Sequence, residues 1–411
     1  MSATAQALNQ SFRRDAHVIG LVGLAHGTSH FFHLIIVPLF PWLMAEFGLS
    51  YAELGLLMSV FFVISGMGQA AAGFVVDRVG PLPVLLTGIA LFGVAALAFA
   101  VAQNYPMLML AAALTGLGNC VFHPADFTLL NRRVTHARLA HAYSVHGIAG
   151  TLGWAAAPVL LTGLATTVGW RGAVVGAAVL AFGVLATLLV NRQTLEAAPE
   201  PQSSGAPSTQ IAVSGSSFLR LPAVWMCFTF FFITAMALGG VQSFMPTALR
   251  ELYGTPLSLA SLSITLFMLA YAGGMLIGGF LATKTPHHER IIAGAFLLMA
   301  AMSMLLATGG VPSPLISVLI VVMGMGAGIA GPSRDLLVRA AAPRNATGRV
   351  YGVVYSGLDV GLSLSPLMFG AMMDSHHPGW VFAGIGAFQA LALVTAVRVG
   401  RNTAAQRAQG A

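Results

Sequence analysis

The stretch Gly116-Leu-Gly-Asn-Cys-Val-Phe-His-Pro-Ala-Asp126 sets a histidine, a proline and a carboxylate inside an apolar run long enough to cross a bilayer. Each ionisable group at membrane depth costs about 2.5–3.5 kcal/mol even on the lenient insertion scale, so their presence points to a solvated pathway rather than lipid contact. The same frame returns further along the chain. Gly116-Leu-Gly118 recurs as Gly324-Met-Gly326 and Pro124 as Pro332, an offset of 208 residues. That offset also pairs Tyr143 with Tyr351, Gly153 with Gly361 and Pro158 with Pro366. One shared offset across two successive spans marks a duplicated half, the architecture of secondary transporters.

The composition agrees. Of 411 residues, 57% are hydrophobic and 8% charged, with a mean hydropathy of +0.84, whereas soluble domains carry about 25% charged residues. A helical crossing needs about 20 apolar residues. Twelve windows fit: Val18–Met44, Leu54–Val76, Leu82–Ala102, Met107–Leu130, His141–Thr166, Trp170–Val190, Ala223–Ala248, Leu257–Ala282, Ile291–Ala307, Leu315–Val338, Ala346–Met373 and Trp380–Val397. The expected fold class is an all-α integral membrane protein of twelve transmembrane helices in two six-helix halves, residues 1–190 and 221–411. Between them, 191–220 turns to Glu, Pro, Ser and Gly and reads as a flexible cytoplasmic linker.

The net charge of +7 reports topology. With the N-terminus inside, Arg13, Arg14, Arg78, Arg132, Arg133, Arg192, Lys284, Arg290 and most other cations fall on the inner side, and Arg171 and Arg250 fall outside. This asymmetry places both termini in the cytoplasm and removes the need for a nucleic-acid partner. Cys120 and Cys227 lie in different spans, which gives no disulfide framework. The first span is too long for the apolar region of a signal peptide.

Between the second and third spans, Gly73-Phe-Val-Val-Asp77-Arg78-Val-Gly80 sets a small residue for close helix approach beside an acid and a base, a candidate conformational latch. The corresponding Gly279-Phe-Leu-Ala-Thr-Lys284 keeps glycine and cation but lacks the acid. Asp335, beside Arg334, is a candidate inner gate.

Over nearly its whole length the chain resembles the major facilitator superfamily. Phe122-His123-Pro124-x-Asp126, followed by His146 and the Gly150, Gly153, Pro158 series, is similar to the fosmidomycin-resistance type of transporter, as is His30 in the first span. That type has glutamate where Asp126 stands, and Ala157-Pro158 replaces the glycine-proline pair of the exporter fifth-helix motif. The resemblance implies the major facilitator fold, with the first and fourth spans of each half lining a central cavity, and proton-coupled export.

His26, His30 and His33 follow i, i+4, i+7 spacing and share a helix face. Counted at about 1.5 Å per residue, His26, His123, Asp126 and His146 lie in one layer, with His30, His33 and Asp359 near or past the midplane. Three chemistries compete for that layer. Proton coupling falls to Asp126, His123 and Asp359. Binding of a substrate falls to His26, His30, His33, His146 and Arg334, the last occupying the repeat position of Asp126, and imidazolium with guanidinium suits an anion. A metal reading uses the helical spacing of His26 and His30 with His123 and Asp126. Against all three stands a structural reading in which each histidine bonds a neighbouring backbone carbonyl or a hydroxyl such as Thr28, Ser29 or Ser144. We expect no cofactor and no resident metal, a small-molecule substrate and protons as partners, a monomer in a bacterial cytoplasmic membrane, and transport by alternating access. Export by antiport is the first reading. Import of an organic anion or metal chelate is the alternative, and an intramembrane metal-dependent enzyme comes behind both because no helix carries H-E-x-x-H.

Overall fold

A computed structural model describes the backbone of residues 3–196, 222–285, 287–341 and 347–409. Side chains are described for 11–69, 71–139, 141–196, 222, 224–285, 287–334 and 356–395. Among these residues every regular element is helical, as a bilayer requires of backbone groups that have no water to bond. Nine stretches among them are long and apolar enough to cross a membrane.

Packing divides the chain into two units, Met1–Phe47 with Val63–Pro207, and Gly48–Phe62 with Ser208–Ala411. The first contains α1 (Ala3–His33), α2 (Phe40–Phe47), the later part of α3 (Tyr51–Val79), α4 (Pro81–Ala100), α5 (Tyr105–Asn119), α6 (Phe122–Arg133), α7 (Leu139–Val190) and the short α8 (Arg192–Glu196). The second contains the start of α3 with α9 (Pro222–Tyr253), α10 (Leu257–Lys284), α11 (His288–Ala307), α12 (Ser313–Ala341), α13 (Thr347–Asp374) and α14 (Gly379–Gln409).

Two of the windows, the first and the fourth, are each broken into two helices near a proline. The first span stops at His33 and resumes at Phe40 after a 3-10 turn holding Pro38. The fourth divides into α5 and α6 at Cys120 and Val121, one turn ahead of Pro124. Proline has no N–H to return to the carbonyl of residue 120, so the break falls where that bond is missing. The fifth and sixth windows are two helices, numbered together as α7, that meet at Gly169, whose φ of 79° and ψ of 163° lie in a region essentially reserved for glycine. Beyond that corner, the Trp170 indole donates to Glu46 Oε2 (2.6 Å), while Arg171 donates to Glu46 Oε2 (2.7 Å) and to the Ala102 carbonyl (2.8 Å).

Small residues set the helix spacing. A Cβ on Gly153 would collide with the Gly27 carbonyl, so α1 and α7 touch through their backbones. In the second unit a Cβ on Gly361 would meet the Phe232 carbonyl and the Ala235 side chain, 2.6 Å from each, bringing α13 against α9. The two glycines related by the 208-residue offset therefore do the same work in their own units.

The start of α3 is tied to α13. Ser50 and Glu53 form a capping box, Ser50 N–H donating to Glu53 Oε2 (2.8 Å) and Glu53 N–H to Ser50 Oγ (3.2 Å). The remaining N–H groups of that first turn, on Tyr51 and Ala52, donate to the two carboxylate oxygens of Asp374, each at 2.8 Å.

Candidate functional site

Backbone contact between α1 and α7 places the histidine face of α1 directly against α7, and the break before α6 turns Asp126 toward both. The Asp126 side chain is wholly buried. Its Oδ2 accepts from His26 Nδ1 and from His146 Nε2, both at 3.1 Å. The two imidazoles are themselves buried and stack on each other with ring centroids 3.5 Å apart. Asp126 Oδ1 has no hydrogen-bond partner among the described residues.

Around this triad the other histidines are shared out. His30 lies 4.4 Å from His26 by ring centroids and stacks on the Trp154 indole at 4.1 Å. His123 is exposed, sits 5.5 Å from His26, and shares its Nδ1 with Gln69 Oε1 at 2.6 Å. His33 Nε2 bonds Asn119 Oδ1 (3.0 Å), Asn119 donates to Ser65 (2.7 Å), and the Trp154 indole donates to His33 Nδ1 (3.3 Å). Behind the site Phe32, Phe92 and Phe122 stack in series, with centroid separations of 4.4 and 5.2 Å.

Two of the hydroxyls offered by the structural reading, Thr28 and Ser29, bond backbone carbonyls and not the histidine rings. Thr28 donates to the Leu24 carbonyl (2.8 Å) and Ser29 to the His26 carbonyl (3.0 Å), bonds internal to their own helix. The histidines instead bond one another's partners across three helices. A buried carboxylate with two imidazole neighbours can hold a proton on any of three groups. Two imidazolium charges 3.5 Å apart would repel by about 5 kcal/mol at an effective dielectric constant near 20, which limits how many protons the triad carries at once.

His26, His30, His33, His123, Asp126 and His146 thus come together in the first unit. Asp359 and Arg334 belong to the second. Asp359 is half-buried and its carbonyl accepts from Ser363 (2.6 Å), and the Arg334 guanidinium lies 5.1 Å from the Phe231 ring centre. Asp77 and Arg78 are exposed, and no ion pair joins them among the described residues. The space a Cβ would take at Gly73 is open, so the close helix approach expected there does not occur among the described residues. The side chain of Asp335 lies outside the described residues, as does most of the linker.

Gln69, Asn119 and Trp154 were missed. Gln69 and Asn119 carried a signal, since each is an amide within an apolar run, but Trp154 reads as an ordinary core aromatic. A second buried acid was also missed. Asp15 is wholly buried, and its Oδ2 accepts from Arg138 (2.8 Å), from Thr135 Oγ1 (2.7 Å) and from Thr135 N–H (3.2 Å). It ties α1 to the turn between α6 and α7.

The model of the Major Facilitator Superfamily matches residues 22–366 and 253–410. The chain is similar to the fosmidomycin resistance protein of Escherichia coli (strain K12), 26% identical over 308 residues and 74% of each chain. It is also similar to the probable L-galactonate transporter of the same organism, 25% identical over 360 residues, covering 81% of this chain and 77% of the relative. Among solved structures, a bacterial homolog of the human lysosomal transporter Spinster superposes with a TM-score of 0.74 at 16% identity, covering 94% of this chain and 96% of that one. At that identity the likeness speaks for the fold.

Proposed function

Because the chain belongs to the major facilitator superfamily, a family of membrane transporters and not of enzymes, we propose that it exports a small solute from a bacterial cytoplasm in exchange for protons. In this reading twelve crossings form two six-helix halves, 1–190 and 221–411, joined by the cytoplasmic linker 191–220, and alternate access by rocking. α7 counts as two crossings because of its corner at Gly169, and the α1–α2 and α5–α6 pairs count as one each.

The observation that carries the coupling is the Asp126 carboxylate, wholly buried and hydrogen-bonded by two imidazoles at 3.1 Å. A carboxylate out of water must be paired or protonated, so its state responds to whatever disturbs His26 or His146. We assign coupling to Asp126 with His26 and His146, and leave His123 and Asp359 as further proton-carrying candidates. His30, His33 and Arg334 remain the substrate contacts, and Gly73, Asp77, Arg78 and Asp335 the latch and gate. Export is favoured by the likeness to the fosmidomycin resistance protein. The likeness to the probable L-galactonate transporter favours a second reading, import of an organic anion.

Everted membrane vesicles energised by respiration test both. Addition of fosmidomycin should discharge the pH gradient with the native chain and fail to do so with Asp126→Asn at equal membrane abundance. Proton flux undiminished in that variant would remove Asp126 from coupling. Solute accumulation in right-side-out vesicles, and not in everted ones, would establish import.

A further inference from the structure

The imidazoles around the Asp126 triad have their protons assigned by their neighbours. With Asp126 ionised, the nitrogens facing it, His26 Nδ1 and His146 Nε2, carry the N–H. Neutral His26 then has its lone pair on Nε2, on the far side of the ring. His123 Nδ1 donates to Gln69 Oε1, which leaves Nε2 as its lone-pair nitrogen. His30 Nδ1 is buried with no hydrogen-bond partner among the described residues.

Two of these nitrogens are seen to converge. A Cβ on Gly150 would lie 2.6 Å from His30 Nδ1 and 3.0 Å from His26 Nε2, so both nitrogens line the space that this glycine leaves open. His26, His30 and His123 each offer a ligand atom within 4.8 Å of the other two. A point equidistant from three atoms at that limit is about 2.8 Å from each. Zn–N bonds are about 2.0–2.1 Å, so each ring closes by less than an ångström to reach bonding distance. The Asp126–His26 and Gln69–His123 bonds are the outer supports that metal-ligating histidines ordinarily have, fixing tautomer and ring orientation. His123 is the exposed member, and the site therefore has an entry. His26, Asp126 and His146 also lie within 4.8 Å of one another, but their facing atoms are consumed by their own hydrogen bonds.

We propose that His26 Nε2, His30 Nδ1 and His123 Nε2 form a tripod that binds one divalent first-row cation of the Zn²⁺ or Ni²⁺ class, with Asp126 and Gln69 as its outer supports. Neutral imidazole is a preferred donor for these ions. The inference concerns binding by the resting protein and does not depend on the direction or coupling of transport.

The test uses the full chain without an affinity tag, purified in detergent and stripped with chelator. Cobalt(II) serves as the probe, through its visible absorption and displacement by zinc. One equivalent should saturate the native chain. Replacing either ligand, His30→Ala or His123→Ala, should weaken binding at least about tenfold, and Gln69→Leu by about 10–100-fold. His376→Ala with His377→Ala, two exposed loop histidines, should leave it unchanged. X-ray absorption on the cobalt-loaded native chain should count three imidazole nitrogens, a result that does not depend on any variant folding. No one-equivalent binding, fewer than three imidazoles, affinity unchanged in both ligand variants, or loss of binding in the loop variant would each overturn the tripod.

Discussion

The bond between Asp126 and His146 can be isolated with a double-mutant cycle. Asp126→Leu removes the acceptor from a wholly buried position and strands two imidazole N–H donors, each at about 1–3 kcal/mol, for a loss of about 2–6 kcal/mol. His146→Phe keeps an aromatic ring in the 3.5 Å stack on His26 but takes away one of the carboxylate's two donors, a charge-assisted bond worth about 1.5–3 kcal/mol. In the double variant the His26 donor is still stranded, but the mismatch between positions 126 and 146 is gone. That variant should therefore cost less than the two singles together by about 1.5–3 kcal/mol. Reversible unfolding in mixed micelles, titrated with SDS and followed by circular dichroism, gives the four free energies. Additivity within about 0.5 kcal/mol would mean that the two side chains do not share a bond, and the proton triad would have no physical basis.

Two further outcomes concern the frame that carries the site. Gly169→Ala forces a Cβ into a backbone conformation with φ of 79° and ψ of 163°, and should cost about 1–3 kcal/mol in the same titration, whereas Gly163→Ala, in open space within the same helix, should cost little. Asp374→Ala deprives the Tyr51 and Ala52 N–H groups of their acceptor, and should cost about 0.5–2 kcal/mol and raise amide exchange selectively in the first turn of α3.

Periodicity and the repeated frame made the helices legible, because a bilayer leaves a spanning segment almost no alternative to helix. The glycine pair Gly153 and Gly361 was legible as a repeat, although what each one touches was not. Depth counting brought His26, Asp126 and His146 into one layer, and i, i+4 spacing placed His30 with them. Their actual partners needed the fold. Gln69 and His123 are 54 positions apart, and Asp15 and Arg138 are 123 apart, distances over which no local pattern constrains contact. The break before α6 falls one turn ahead of Pro124, because the missing donor belongs to the proline and the orphaned carbonyl to the residue four before it.

Trp154 has a practical consequence. Its indole is stacked on the His30 imidazole at 4.1 Å and donates its N–H to His33. Excited indole is quenched by a protonated or metal-bound imidazole in ring contact, so the protein carries its own optical gauge beside the triad. Four other tryptophans supply background emission, Trp42, Trp170, Trp225 and Trp380, and their replacement by phenylalanine would leave a single native fluorophore. Ligand arrival could then be timed in an unlabelled molecule on the scale of a single transport cycle.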